Sequence, residues 1–535
     1  GTTMQNISRR SFVETAGIAG AAVAASGAIV ASAQAEEAVE GKTWRDAPAV
    51  PADDQVSETL DADVVVVGAG DAGLVAATSA IQNGVKNVLV LEKMEYSRVG
   101  GGVHGILGSQ WSDEIGITWT PEEIDAMIKD EMIASCMRAD ERYYRVWANR
   151  SREVFEHICE CFDTQYVHLV NNGKAPYDQK ADEYFSESVY PGQGLQVSSG
   201  DVNTPLIDGL TAWIQEQGGE IRYSTKGEQL IMEDGKVAGL YALKEDGSYL
   251  KVNASAVILA GGSIEGNDEM FKEFCPQVYP IDCSNYAPGD GSAIQMAVWA
   301  GGQMQNAPIC TMANTAISPD APNVPSPIPF IVVNRNGERF MNEATSSFCV
   351  PMAIINQPGK VAYQIFGANY AEAINELAMQ TWMGTYLYND EKIKLFEETA
   401  TKGDTIPELA EALGIDPDGL QATVDNYLAM AEAGHDDEFG VPQRFLSVVA
   451  PAEGPYWGME MPYFVDVACG GVKCDPVSGA VLNEDGEKIP GLFAAGNTLG
   501  ERFGMVYTNN MTGLSNGFAD VEGYVAGESA AAYIG

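Results

Sequence analysis

Three glycines, Gly68, Gly70 and Gly73, stand at G-x-G-x-x-G spacing directly after a valine-rich run, and an acid, Glu92, closes the next apolar run. That combination is the chemistry of a pyrophosphate cradle. The first glycine permits a tight strand-to-helix turn, the second lets a phosphate approach bare backbone, and the third lets the helix lie close on the strand. Asp71 and Ala72 sit inside the same motif. Glu92 is placed to accept hydrogen bonds from a ribose hydroxyl, with Lys93 beside it. A second cluster, Gly100, Gly101 and Gly102 in GGGVHGILGSQW, offers backbone against which a flat ring system can lie.

These residues need elements to hold them. Ala62 to Val67 reads as a strand buried on both faces of a parallel sheet, and Asn87 to Leu91 as its partner. Asn83-Gly84 closes the helix between them. RYYRVWANRSREVFEHI, inside the charged stretch Pro121 to Asp163, has the spacing of a surface helix. Pro191 to Gly200 reads as a loop and Leu206 to Gln217 as a helix. Glu220 to Ile258 alternates apolar and polar residues, with turns at Asp234-Gly235 and Asp246-Gly247, and predicts an antiparallel meander. Another buried strand then strikes Gly261-Gly262, and Asn285 to Gly302 is a glycine turn followed by a helix.

From Gln303 to Met461 the character changes. A proline-rich loop (Pro319 to Pro329), a strand (Phe330 to Asn334) and long helices predict an inserted α+β lobe. Thr405-Ile406-Pro407-Glu408 is a capping box, Asp416-Pro417 an N-cap with proline at the first helical position, and Gly434 a helix stop. After Met461 the strand and glycine-turn style returns, and the chain closes on a helix from Ser515 to Tyr533. The expected fold class is α/β: a Rossmann-like domain split in sequence (residues 59–302 and 462–535) around an inserted α+β capping domain (303–461).

At 535 residues the chain is too long for one core. A formal charge of −44 argues against nucleic acid as a partner, because polyphosphate would be repelled. It fits a basic electron-transfer partner, an acidic lineage, a salty habitat or simply a soluble surface. Nine cysteines lack ferredoxin or zinc spacing, and buried free thiols are the expectation for all of them. The four histidines, His104, His157, His168 and His435, include no pair at metal-ligand spacing on a helix, so no metal site is expected.

The first residues read as an address. Ser8-Arg9-Arg10-Ser11-Phe12, a weakly apolar run from Ala16 to Ala31 and the small-x-small site Ala33-Gln34-Ala35 have the form of a twin-arginine export signal over residues 1–35. The run is too short and weak for a membrane anchor, so the mature chain is expected in the periplasm, at the cell surface or secreted, with no stable membrane insertion. Residues 36–58 read as a polar linker.

Several motifs in order, GAGDAG, AVILAGGSIEGNDEM, GDGSAIQMAVWAGG, VNRNGERFMNE, TIPELAEALGIDPDGLQATVDNYLAMAEAGHDDEFG and PGLFAAGNTLG, together resemble the flavoprotein subunit family of fumarate reductase and succinate dehydrogenase, with its soluble, secreted and ketosteroid-dehydrogenase branches. The resemblance covers Asp61 to Gly535. It implies a non-covalent FAD held by the split domain, a mobile capping lobe and an active site between them. On its motifs, Gly261, Gly262, Asp290, Gly496, Asn497, Gly513, Leu514 and Ser515 join the cofactor-binding set. Fumarate-type members carry a proton-donating arginine shortly after the Asn-Glu pair, where Ser347 stands here, and a substrate arginine where Tyr507 stands. Their two substrate histidines are replaced, one near Ala313 and one around Val467 to Gly471. Without these donors there is no dicarboxylate site, and fumarate is not the expected substrate. The ending AGNTLGERFGMVYTNNMTGLSNG is similar to the ketosteroid-dehydrogenase branch, which has Asn after the Ala-Gly pair and a tyrosine near the flavin; that branch's other tyrosine would align near Ser347 and is missing.

The implied chemistry is hydride transfer from reduced FAD to an activated C=C bond of a small organic substrate, an enone or enoate, in anaerobic respiration. Tyr507 is the candidate acid, with Arg502 supplying electropositive help and Ser347 a third catalytic candidate; packing of Tyr507 against the flavin is the alternative. His104 is a point of covalent attachment, a polar contact or a solvent-exposed ring. Ser347, Glu343, Arg339, Tyr190 and Tyr286 are possible pocket residues, Glu343 also a structural hydrogen-bonding group and Arg335 and Arg339 turn residues. Desaturation of a ketone-bearing ring uses the same geometry in reverse, and a non-catalytic flavin electron carrier is the third possibility. No haem-attachment or iron–sulfur spacing is present, so electrons are expected from an external donor, a cytochrome or a quinol-linked protein.

Overall fold

The computed structural model describes residues 43–535 apart from 115, 170–193, 197–202, 280, 282–288, 316–328, 346–347, 379–393, 395–396, 509–510 and 512. The export signal, the proline-rich loop up to residue 328, Ser347, Tyr190 and Tyr286 fall outside the described residues.

Strand β1 (Val56–Val67) is longer than its apolar run. Its first half alternates exposed and part-buried residues, and only Val64–Val67 are buried throughout. Helix α1 (Asp71–Gln82) follows, ending at Gly84 with φ +96°, and β2 (Val88–Leu91) lies parallel to β1 with Val64 opposite Val88. β3 (Val103–Gly105) forms a small sheet with Gly194–Gln196 and His168–Leu169, so part of the expected Pro191–Gly200 loop is strand. Helices α2 (Pro121–Ala134) and α3 (Glu141–Cys159) come next. α3 buries Tyr144, Trp147, Val154 and Phe155 on one face, more than a surface helix requires.

Helix α4 (Thr204–Glu216) leads to β4 (Glu220–Arg222), β5 (Thr225–Glu233), β6 (Lys236–Lys244) and β7 (Tyr249–Leu259). The meander begins only at Thr225, because β4 joins β2 in parallel register, Leu89 opposite Glu220. β7 joins the meander to the parallel sheet, pairing antiparallel with β6 over Tyr249–Asn253 and parallel with β1 along its length, Val64–Val67 opposite Ala256–Leu259. Helices α5 (Asp268–Phe274) and α6 (Ser292–Trp299) precede β8 (Cys310–Thr315).

The inserted lobe holds β9 (Ile331–Val333), β10 (Tyr363–Phe366), β11 (Thr401–Gly403) and β12 (Tyr456–Glu460), an antiparallel sheet in the order β9-β10-β12-β11. Its helices include α7 (Ile406–Leu413), capped by Thr405 and Glu408 and ended by Gly414 at φ +75°, and α8 (Pro417–Ala433), capped by Asp416 and ended by Gly434. β13 (Tyr463–Cys469) pairs with β8. β14 (Ala480–Leu482) and β15 (Lys488–Ala494) complete the large sheet, β15 lying parallel to β7, and α9 (Leu514–Ile534) ends the chain.

Two compact units result, one containing Thr315–Tyr463 and the other made of Trp44–Asn314 and Phe464–Gly535. Gln303 to Asn314 thus stay with the split domain rather than opening the insert at residue 303, because Gln303 and Gln305 are hydrogen-bonded to Leu482 and Gly471. The expected linker 36–58 is corrected over its described part, from residue 43 on. Trp44 is buried, its indole donating to Glu273 at 2.9 Å while Arg45 pairs with the same carboxylate, and Val56 already belongs to β1. Among the described residues no helix is long and apolar enough to cross a membrane. Cys136 and Cys349 are exposed, against the expectation of uniformly buried thiols.

Candidate functional site

The valine strand aims the first glycine at the carbonyl of a neighbouring strand. A Cβ on Gly68, whose φ is +107°, would lie 2.3 Å from Ala260 O, and one on Gly73 only 2.0 Å from Gly68 O. Both positions therefore exclude any side chain. At Gly70 a Cβ would meet nothing within 4 Å, so open space lies against the start of α1, which no side chain caps. Bare amides, open space and the positive end of a helix are what a pyrophosphate needs, and the residues present fit a dinucleotide such as FAD.

Glu92 is buried, and its carboxylate already accepts from Ala69 N at 2.7 Å and Met94 N at 2.9 Å. Its shown role is to clamp the glycine turn; a ribose hydroxyl would have to share those oxygens. Lys93 is 3.1 Å from Asp290, which Lys226 also approaches at 3.5 Å and which caps α6 through Ser292 N at 3.0 Å. Burial pushes the Asp290 carboxyl up, but the two lysines and Ser292 outweigh it and bring it to about 2. Lys93 and Asp290 are thus paired with each other rather than standing at separate points.

Gly261 touches Ala293, and Gly262, with φ +87°, opens onto empty space and accepts from Thr498 Oγ1 at 3.0 Å. Gly100 N donates to Asn203, while Asn516 on α9 donates to the carbonyls of Gly101 and Val103 at 2.8 Å, on either side of Gly102. Gly496 (φ +64°) lies against Ala72 and donates to Glu522 at 3.0 Å. Gly513, at φ +73°, starts α9 so close to β3 that a Cβ would be 2.8 Å from Gly105 N. The glycines around α1, β3 and α9 therefore come together in one unit, with Leu514 and Ser515 on the first turn of α9.

Tyr507 is buried at 4 % exposure, its N–H bonded to Thr311 O on β8 and its ring edge-on to Phe503 at 5.2 Å. Ser515 N donates to its phenol oxygen at 3.2 Å, and Ser515 Oγ is 3.9 Å from Cys469 Sγ. Burial raises the phenol well above its ordinary value and the Ser515 N–H opposes that rise. Arg502 is fully buried but directed elsewhere. Its Nη2 donates to Asn497 Oδ1 at 2.6 Å and its Nη1 lies 3.6 Å from Glu522. The electropositive help at Tyr507 comes from the start of α9, and Arg502 serves Asn497 and Glu522. Glu522 itself is pushed up to about 7 by burial, against the pull of Arg502 and Gly496 N–H. Glu131, also buried, accepts from Thr508 Oγ1 at 3.0 Å through both oxygens.

In the inserted unit Arg339 is more than a turn residue. It is buried and holds Glu343 at 2.6 Å, Asp436 at 2.8 Å and Glu438 at 3.1 Å, while Glu343 also accepts from Val332 N. Both residues brace the unit's own core. His104 is fully buried with Nδ1 2.8 Å from Asp520 Oδ2. Asp520, Glu522 and Glu131 were missed by sequence reasoning. The available signal was the pair of acids in the otherwise small and apolar run SNGFADVEGYVAG.

Residues 63–514 match the FAD binding domain family, and the chain belongs to it: the protein is a FAD-dependent oxidoreductase acting on CH–CH or C=C bonds. It is 27 % identical over 483 residues to a fumarate reductase (cytochrome) of Shewanella frigidimarina, covering 88 % of this chain and 77 % of that one. It is 26 % identical over 513 residues to the vinyl phenol reductase of Lactiplantibacillus plantarum, covering 88 % and 96 %. The fold matches that of 3-ketosteroid-Δ4-(5α)-dehydrogenase from Rhodococcus jostii with a TM-score of 0.68 at 24 % identity, over 90 % of this chain and 99 % of that one.

Proposed function

We propose that this protein is an exported reductase of an activated C=C bond, an enone or enoate of a small organic molecule other than fumarate. The observation that carries it is the Tyr507 phenol, buried in the same unit as the nucleotide turn and bonded by the first turn of α9. Bound FAD supplies the hydride. The chain's own part is the proton: burial keeps the phenol protonated, and Ser515 N–H stabilises the oxygen as the proton leaves. The relative that reduces vinyl phenols supports a conjugated, uncharged substrate over a dicarboxylate. We hold the FAD to be non-covalent, because His104 is buried and bonded to Asp520, and denaturation in acid should release it as free flavin.

The charge of −44 supports an external basic donor such as a cytochrome, and the Arg9-Arg10 motif supports twin-arginine export. The likeness of fold to a ketosteroid dehydrogenase keeps the oxidative direction as the second reading. Two anaerobic assays separate them: reduced viologen with a panel of enones, against a dye acceptor with the saturated ketones. Faster turnover in the second would reverse the assigned direction, and none in either would reject the enone class.

A further inference from the structure

Three side chains from three separate elements meet beside the nucleotide turn: Asp71 at the start of α1, directly after Gly70, His104 in the middle of β3 and Asp520 in the second turn of α9. His104 Nδ1 lies 2.8 Å from Asp520 Oδ2 and 3.9 Å from Asp71 Oδ2, and one donor atom of each residue is within 4.8 Å of the other two. The side chains of His104 and Asp520 are wholly buried and that of Asp71 is 12 % exposed. With both acids ionised, four buried atoms of these residues are left without a hydrogen-bond partner, both Asp71 oxygens, Asp520 Oδ1 and His104 Nε2; a proton shared between Asp71 and Asp520 is the alternative to a cation there. No lysine or arginine forms an ion pair with either acid among the described residues.

Two carboxyls this close and this deep cannot both stay ionised unaided: burial raises both well above the carboxylate range, so they either share a proton or are met by positive charge, and among the described residues an imidazole is the one basic side chain brought to them. In a tetrahedral site with bonds of about 2.1 Å the donor atoms lie about 3.4 Å apart, so separations of 2.8 and 3.9 Å need shifts of only about half an ångström. Nitrogen with two carboxylate oxygens suits a borderline divalent ion rather than magnesium or calcium, and no thiolate is present to select a softer one.

We propose that Asp71, His104 and Asp520 form a structural site for a divalent transition-metal cation of the zinc class. The cation neutralises both buried carboxylates and ties the start of α1, β3 and α9 to one another. This is contrary to the expectation from histidine spacing, because the three ligands are 33 and 416 positions apart and no local motif could show them.

The test uses the FAD-loaded protein, purified without an affinity metal and analysed by inductively coupled plasma mass spectrometry. About one zinc, manganese or iron per chain is expected to survive desalting, and Asp520→Asn should lower that content at least about tenfold. On the unaltered protein, a strong chelator should lower the thermal midpoint and added zinc chloride should restore it. Metal-free protein whose midpoint responds to neither chelator nor zinc would overturn the proposal and leave a proton-bridged cluster. So would metal content equal in the wild type and in a folded Asp520→Asn variant, since the ion would then lie elsewhere.

Discussion

Tyr507 and Glu522 sit on opposite sides of the same argument about burial. Burial raises both, but a raised phenol stays loaded with its proton, whereas a raised carboxyl becomes a group that titrates near neutrality. If Tyr507 is the acid, Tyr507→Phe should cut kcat by at least roughly 100-fold in steady-state assays while the FAD content holds. Near-normal turnover would reduce the residue to packing against Phe503. For Glu522 the consequence is one of stability. Its folded value of about 7 stands above the ordinary 4.5, so the folded state keeps a proton that the unfolded state has released. Its contribution is therefore present below about pH 4.5 and is lost as pH rises towards 7, by roughly 3 kcal/mol. Urea unfolding of the wild type and of Glu522→Gln between those pH values should show the slope shrink in the variant. Parallel profiles would mean that Arg502 holds the carboxylate ionised throughout. Tyr507 is legible in the sequence as the acid, but Glu522 is not, and the partner the sequence suggests for Tyr507, Arg502, is turned to Asn497 and Glu522 by contacts that no local pattern reports.

At the scale of elements, α1 and α9 are the pair on which the nucleotide turn rests. Gly523 and Gly527 are four residues apart on one face of α9, and a Cβ at either would stand 2.3 Å from a carbonyl of α1, Ala72 O and Ala76 O. The helices can approach only because both positions lack side chains. Gly527→Val should force them apart, costing about 1–3 kcal/mol or more, and drag Ala72 away from Gly496. Thermal unfolding and flavin absorbance measured together test this. A lowered midpoint with bound FAD lost is expected, and an unchanged pair of values would show that α9 can slide. This packing explains what was legible beforehand. β1, α1, β2 and the caps of α7 and α8 are specified locally, by a valine run, a glycine triplet and Thr405 or Asp416, and sequence reading places them. The start of β1 at Val56, the parallel placement of β4 and the seating of Trp44 depend on distant strands and helices, which no local pattern reports.

The molecule as a whole carries 75 acids against 31 lysines and arginines, and among the described residues only Glu92, Glu131, Glu265, Glu343, Asp436, Asp520 and Glu522 are buried. Most of the excess is left to act at long range. Such a field would not hold a partner in a fixed pose, but it raises the encounter rate with a basic electron carrier and suppresses encounters with acidic ones. Because the Debye length is about 10 Å at 0.1 M salt, that advantage is screened as ionic strength rises. Stopped-flow oxidation of a small basic cytochrome by the protein should therefore slow roughly tenfold between about 0.02 and 0.3 M salt, while turnover with reduced viologen changes far less. Equal salt dependence for the two donors would separate the charge from electron delivery and return it to solubility alone.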